Sequence, residues 1–114
     1  EYGAMNLYNA VTEQLGVQVP FSQIARSESQ HANALIRLAE RYGVEVPENP
    51  GLVSEPQFTS TTDACAAGVA AEIADADLYE QLMPDVTHAD LQQVYTNLQN
   101  ASLQSHLPAF EACN

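Results

Sequence analysis

Between Phe21 and Leu38 the chain sets Phe21, Ile24, Glu28, His31, Leu35 and Leu38 at the steps that line one face of an α-helix. That face is apolar except at its centre, where Glu28 and His31 interrupt it. A carboxylate buried without a partner costs on the order of several kcal/mol or takes up a proton, so an ionisable pair on a core face requires a shared counter-charge. A metal ion is the simplest one. The i, i+3 spacing puts both side chains on one side of the helix, where the glutamate can chelate or bridge and the imidazole adds a nitrogen ligand. Alone, Glu-x-x-His is a weak signal, because a surface ion pair or a polar network accounts for it equally well.

The rest of the chain also reads as helix. From Glu1 to Leu15, Ala4, Met5, Tyr8, Val11 and Leu15 form one apolar stripe, and Gly16 stops it. The interrupted stripe belongs to a second helix over about 21–42, which Gly43 caps. Residues 44–60 hold three prolines, one glycine and no sustained periodicity, which predicts a long loop. Extended at ~3.3 Å per residue, such a loop spans the length of a bundle of helices of about 20 residues. A third, alanine-rich helix over about 61–83 has Asp63 in its first turn and ends at Pro84. Thr87 and Asp90 resemble a capping box that opens a fourth helix over about 88–113, with Leu91, Val94, Tyr95, Leu98, Ser102, Ala109 and Phe110 near one face. Pro108 inside it predicts a kink or early fraying. Short, long and short connections describe an all-α four-helix bundle, two antiparallel hairpins joined by a crossover. With 114 residues, 46% of them hydrophobic, one domain over 1–114 with a single core is expected.

The other helices carry matching polar residues. Glu72 follows Val69 on the third, with Asp75 one turn further along; His106 lies in the packed stripe of the fourth; Glu1 precedes Met5 and Tyr8 on the first. Singly, Glu72 and Asp75 are also read as solvated and His106 as a satisfied core histidine. Jointly, four helices each offering a carboxylate or an imidazole describe how bundles build dinuclear metal sites. Cysteine register gives an independent check. If Glu72 meets His106 across antiparallel helices, a heptad back from one and a heptad forward from the other brings Cys65 opposite Cys113. A disulfide there would stabilise by about 2–4 kcal/mol and would favour an oxidising, extracytoplasmic or secreted setting. Two unrelated buried thiols are the alternative.

Charge excludes other classes. With 3 Arg, no Lys and 15 Asp plus Glu, the net charge is -12, so nucleic acid and anionic membranes would be repelled. The acidity suits a solvated surface in salty or extracellular conditions, or a diffuse attraction for cations. No apolar run approaches the ~20 residues needed to cross a bilayer, and no basic stretch followed by an apolar one marks a signal peptide. The sequence opens at Glu1 inside a helical stripe, so a signal or tether upstream of it is expected.

Several segments resemble a known family. Ala25-Arg26-Ser27-Glu28-Ser29-Gln30-His31 is similar to the Ser-Glu-x-x-His motif on the second helix of a bacterial and archaeal family of unknown function in the ferritin-like superfamily. Leu38-Ala39-Glu40-Arg41-Tyr42-Gly43-Val44 resembles its Leu-Leu-Glu-Arg-Tyr-Gly stretch, and Glu72-Ile73-Ala74-Asp75-Ala76-Asp77-Leu78 its acidic segment. Val94-Tyr95-Thr96-Asn97-Leu98 and Ser105-His106-Leu107-Pro108-Ala109-Phe110 resemble its Val-Tyr-x-Asn-Leu and Asn-His-Leu-x-Ala-Phe segments. The resemblance implies a ferritin-like fold with ligands at Glu1, Glu28, His31, Glu72 and His106, and no established reaction. The broader ferritin-like pattern has a second Glu-x-x-His on the fourth helix, but position 103 here is Leu; Asp75 is the candidate replacement. The central loop looks shorter than in many relatives, so a small helix there is expected to be absent.

The functional expectation is a metal-binding protein with a dinuclear or degraded, mononuclear site. Iron, two ions, suits oxygen-rich ligands with two imidazoles; manganese, zinc and copper are alternatives. Open coordination positions would permit oxidation of ferrous iron or reduction of oxygen or peroxide. Tyr8, Tyr42 and Tyr95 are candidate redox or supporting residues, or packing residues with a polar end. A non-enzymatic extracellular binding or structural module with a residual metal site is the competing reading. Storage in a cage ranks last, and a homodimer is left open as an assembly state.

Overall fold

The computed structural model describes residues 1–52 and 56–113. The fold is all-α, a four-helix bundle, and no strand occurs among the described residues. It divides into two compact units, Glu1–Thr61 and Thr62–Asn114, each built round one helix hairpin.

In the first unit, α1 (Tyr2–Leu15) and α2 (Phe21–Arg41) run antiparallel. Tyr8 meets Phe21 near the hairpin turn, with ring centroids 6.3 Å apart, and Glu1 meets His31 further down. Tyr8, Val11 and Phe21 are fully buried and form the centre of this hairpin, as the apolar stripes anticipated. α2 ends as the glycine predicts. Gly43 takes a φ of 67°, Gly43 N–H donates to Glu40 and Val44 N–H to Ala39, the paired bonds of a Schellman cap. The segment that follows runs back along α1. Asn6 and Asn49 exchange side-chain hydrogen bonds, Gln14 Nε2 donates to the Pro56 carbonyl, and Phe58 N–H donates to Gln14 Oε1. Its path from the level of Asn6 to that of Gln14 is the traverse that a crossover requires, and no helix interrupts it among the described residues. The middle of the loop, Val53, Ser54 and Glu55, lies outside the described residues.

The second unit holds α3 (Thr61–Leu82), a 3-10 turn (Met83–Asp85), α4 (Ala89–Ala101), a π-helical stretch (Ser102–His106) and α5 (Leu107–Glu111). Tyr79 packs on Tyr95 at 5.2 Å, Glu72 meets His106, Phe110 lies against Gly68, and Cys65 is disulfide-bonded to Cys113. Positions that fall along α3 as they rise along α4 and α5 define an antiparallel hairpin. The heptad argument for the disulfide is borne out, with Cα atoms 5.8 Å apart.

Two local expectations change. α4 begins at Ala89, one residue later than expected, with His88 rather than Thr87 at the cap position, and the short Asp90 side chain accepts from Leu91 N–H. The second concerns Pro108, where the helix continues as α5 and a π-helical stretch precedes it. The buried residues Leu98, Ser102, His106 and Phe110 lie four apart, and in an α-helix each such step overshoots a turn by about 40°. The i→i+5 turn marked by Leu107 N–H donating to the Ser102 carbonyl takes up that drift and keeps the four on one side. Pro108 favours the change, because it cannot donate to the carbonyl four residues back and its ring crowds that turn.

A Cβ at position 68 would lie 2.6 Å from Phe110 Cδ1, and Phe110 is buried. Gly68→Ala should therefore cost about 1–3 kcal/mol of stability through overpacking, outweighing the ~1 kcal/mol gained in helix propensity, and so lower the urea midpoint. An unchanged or raised midpoint would show that the ring has room. Reduction of the disulfide, which joins residues 48 apart, should cost about 2–4 kcal/mol of stability with helicity retained at low denaturant.

Candidate metal centre

Glu28 and His31 sit one turn apart on the inner side of α2, and Glu1 stands at the start of α1, the helix that runs alongside. Antiparallel pairing of the two helices brings all three together. His31 Nδ1 is 3.1 Å from Glu28 Oε2 and 3.4 Å from Glu1 Oε2, so one ring N–H is shared between two carboxylates. Glu28 is 0% exposed, and the Glu1 side chain is nearly as enclosed. On the far side of the ring, Nε2 is 3.3 Å from Ser27 Oγ. The potential ligand atoms of Glu1, Glu28 and His31 all lie within 4.8 Å of one another.

Burial alone would push the His31 pKa down; hydrogen bonds and charge from Glu1 and Glu28 more than offset that and raise it from 6.5 to about 9. At neutral pH the metal-free cluster therefore holds a proton where a cation fits. Two carboxylates and one imidazole converging from two helices match the donor set of oxygen-rich sites for iron or manganese, and they also admit zinc. A ligating imidazole must be neutral, so binding a cation there displaces the Nδ1 proton.

In the second unit, Glu72 on α3 and His106 at the end of the π-helical stretch approach to 3.4 Å, Oε2 to Nδ1. Glu72 is 0% exposed and His106 6%. The sequence thus found the pair, and the structure explains the missing carboxylate at position 103. Leu103 is 43% exposed, whereas Ser102 is 1% exposed, because the wider π turn places residue 102, four before His106, on the buried side. A carboxylate three before His106 would face outward here. Asp75 is half-buried one turn beyond Glu72, and no group of convergent ligand atoms includes it among the described residues. An axial step of roughly 4.5 Å separates the two positions on α3.

The tyrosines divide. Tyr8 is fully buried against Phe21, and Tyr95 is half-buried against Tyr79. Tyr42 is 40% exposed because it caps α2 beyond its last turn, which removes it from the core. Two residues escaped the sequence reading. Ser27 was legible only as part of the motif, and its contact with His31 follows from the i, i+4 spacing on α2. Tyr79 is buried, although its own helix is so rich in alanine that no apolar stripe stands out.

Residues 1–59 match the family described as "Uncharacterized protein domain (DUF2202)". The chain is also similar to the crystal structure of hypothetical protein MJ0754 from Methanococcus jannaschii DSM 2661. The TM-score is 0.84 at 27% identity, over 96% of this chain and 70% of that one. No curated protein matches the sequence.

The raised His31 pKa fixes the sign of a pH effect. A group whose folded pKa lies above its unfolded value stabilises fully below the unfolded value, and that contribution fades as pH rises through the folded one. In the metal-free protein, the urea midpoint should fall between pH 6.5 and about 9 on this account, and His31→Gln should flatten that fall. An equally steep fall in the variant would assign the effect elsewhere.

Proposed function

The chain belongs to the DUF2202 family, and from the buried carboxylates and imidazoles of its two hairpins we propose that it is a metal-binding ferritin-like protein. The observation that carries this reading is the convergence of Glu1, Glu28 and His31, with Glu28 wholly withdrawn from solvent. In this reading Glu1, Glu28 and His31 hold a cation in the first unit, and Glu72 and His106 supply a carboxylate and an imidazole in the second. Support comes from the matching burial of Glu28, Glu72 and His106, groups that are costly to enclose without a cation.

The two halves are unequal. The first hairpin offers three ligand side chains in mutual reach, whereas the second offers Glu72 and His106 with Asp75 a turn away. The first position fills first, and the second is the weaker partner of a dinuclear site or stays empty in a mononuclear one. Iron is the favoured occupant, with manganese, zinc or copper as alternatives. Bound iron would supply the redox capacity to oxidise ferrous iron or to reduce oxygen or peroxide. The residues' own part is to fix the ion, neutralise its charge and keep it from bulk water.

The outward-facing Leu103 favours a second reading, a non-enzymatic module whose residual metal serves stability. The disulfide fits an oxidising, extracytoplasmic setting under either reading. No helix among the described residues is long and apolar enough to cross a membrane.

Elemental analysis of protein purified without added metal should find a bound transition metal. Glu28→Ala and His31→Ala should lose it with helicity intact, their affinity falling by more than the roughly 10–100-fold that loss of an outer-shell contact costs. Wild-type protein without metal affinity would refute the proposal. Ferrous iron added anaerobically and then exposed to oxygen separates the two readings: faster oxidation than in buffer supports a redox site, and buffer-rate oxidation supports the structural module.

A further inference from the structure

His31 can meet a cation through either ring nitrogen, and the two choices are chemically different. In this hairpin Nδ1 faces the Glu28 and Glu1 carboxylates at 3.1 and 3.4 Å, while Nε2 faces the Ser27 hydroxyl at 3.3 Å. Turning the ring over would place carbon against both carboxylates and forfeit their hydrogen bonds. We infer that Ser27 is a positioning residue, whose hydroxyl holds His31 through Nε2 so that Nδ1 is the atom presented to a divalent cation between Glu1 and Glu28.

This inference rests on the metal reading above and adds which atom binds and what selects it. A serine hydroxyl both donates and accepts. With the ring protonated, Nε2–H donates to Ser27 Oγ and Nδ1–H is shared by the carboxylates. When a cation replaces the Nδ1 proton, one proton leaves to solvent and Nε2–H keeps the same acceptor. The ring therefore need not reorient on binding. A serine inside a helix ordinarily turns its hydroxyl back to the carbonyl four residues earlier. Here the next turn of α2 also brings an imidazole within reach of that hydroxyl, and Glu1 at the start of α1 supplies the second carboxylate on the opposite edge of the ring. Partners outside the ligand set commonly fix the tautomer and orientation of a metal-binding histidine in this way.

The test uses the full chain with zinc as the probe, in wild type, Ser27→Ala and Ser27→Thr. Competition against a chelator should show zinc affinity reduced about 10–100-fold by Ser27→Ala. Ser27→Thr, which keeps the hydroxyl, should restore most of it. Nitrogen-15 spectra of the ring supply a readout that packing alone would not move. Zinc-loaded wild type should show a protonated Nε2 and a metal-bound Nδ1, and the metal-free protonated ring should show a slowly exchanging Nε2–H that is lost in Ser27→Ala. Equal zinc affinity in wild type and Ser27→Ala, or ligation through Nε2, would overturn the role of Ser27 while leaving the metal reading intact. Absence of zinc binding in all three proteins, with the Nε2–H pattern as expected, would overturn the metal reading and the ligand assignment together.

Discussion

The structure turns on a carboxylate with no access to water. Glu28 is completely enclosed, and an enclosed carboxylate must be matched by positive charge or protonated. In the first hairpin the match is made by His31, whose ring also reaches Glu1. The elevated pKa of the imidazole expresses the same constraint from the other side: two anionic neighbours overcome the burial that would otherwise discharge it. A cluster that binds a proton so firmly is preorganised for a cation, since its carboxylates are already held in place by helix packing.

The second hairpin solves a different problem. Its buried row of Leu98, Ser102, His106 and Phe110 has a period longer than that of an α-helix, and the backbone accommodates it with a π turn. That turn decides which side chains face inward. It buries the small Ser102, turns Leu103 outward and aims His106 at Glu72. Packing tightens below this point, where Phe110 rests directly on Gly68 and a disulfide ties Cys65 to Cys113. The absence of a carboxylate at position 103 is therefore no simple loss of a ligand. The helix geometry at that point presents a different residue.

Much of this was legible in the sequence because helix periodicity is a local property. The four helices, the long connection and the glycine cap at Gly43 follow from spacing and from the backbone preferences of glycine and proline. The disulfide followed too: the step from Glu72 back to Cys65 lies inside α3, and the step from His106 to Cys113 begins where the π-helical stretch ends. What failed were inferences that assumed ideal geometry. Tyr42, a candidate supporting residue, falls past the last turn of α2, and Pro108, where a kink or fraying was expected, is preceded by a widened π turn. Asp75, the candidate replacement for a carboxylate at position 103, belongs to none of the convergent groups among the described residues.

By itself, the sequence determined that Glu28 and His31 occupy the core face of an amphipathic helix, since that needs only 3.6 residues per turn and the apolar neighbours on either side. Only the tertiary structure decided that Glu1 completes their cluster and that Ser102 rather than Leu103 is buried beside His106. The physical reason is that side-chain convergence depends on the rotation and axial offset of one helix against its neighbour. Those quantities are set by packing across the hairpin and by a single turn of altered backbone, and residue spacing within one helix does not encode them.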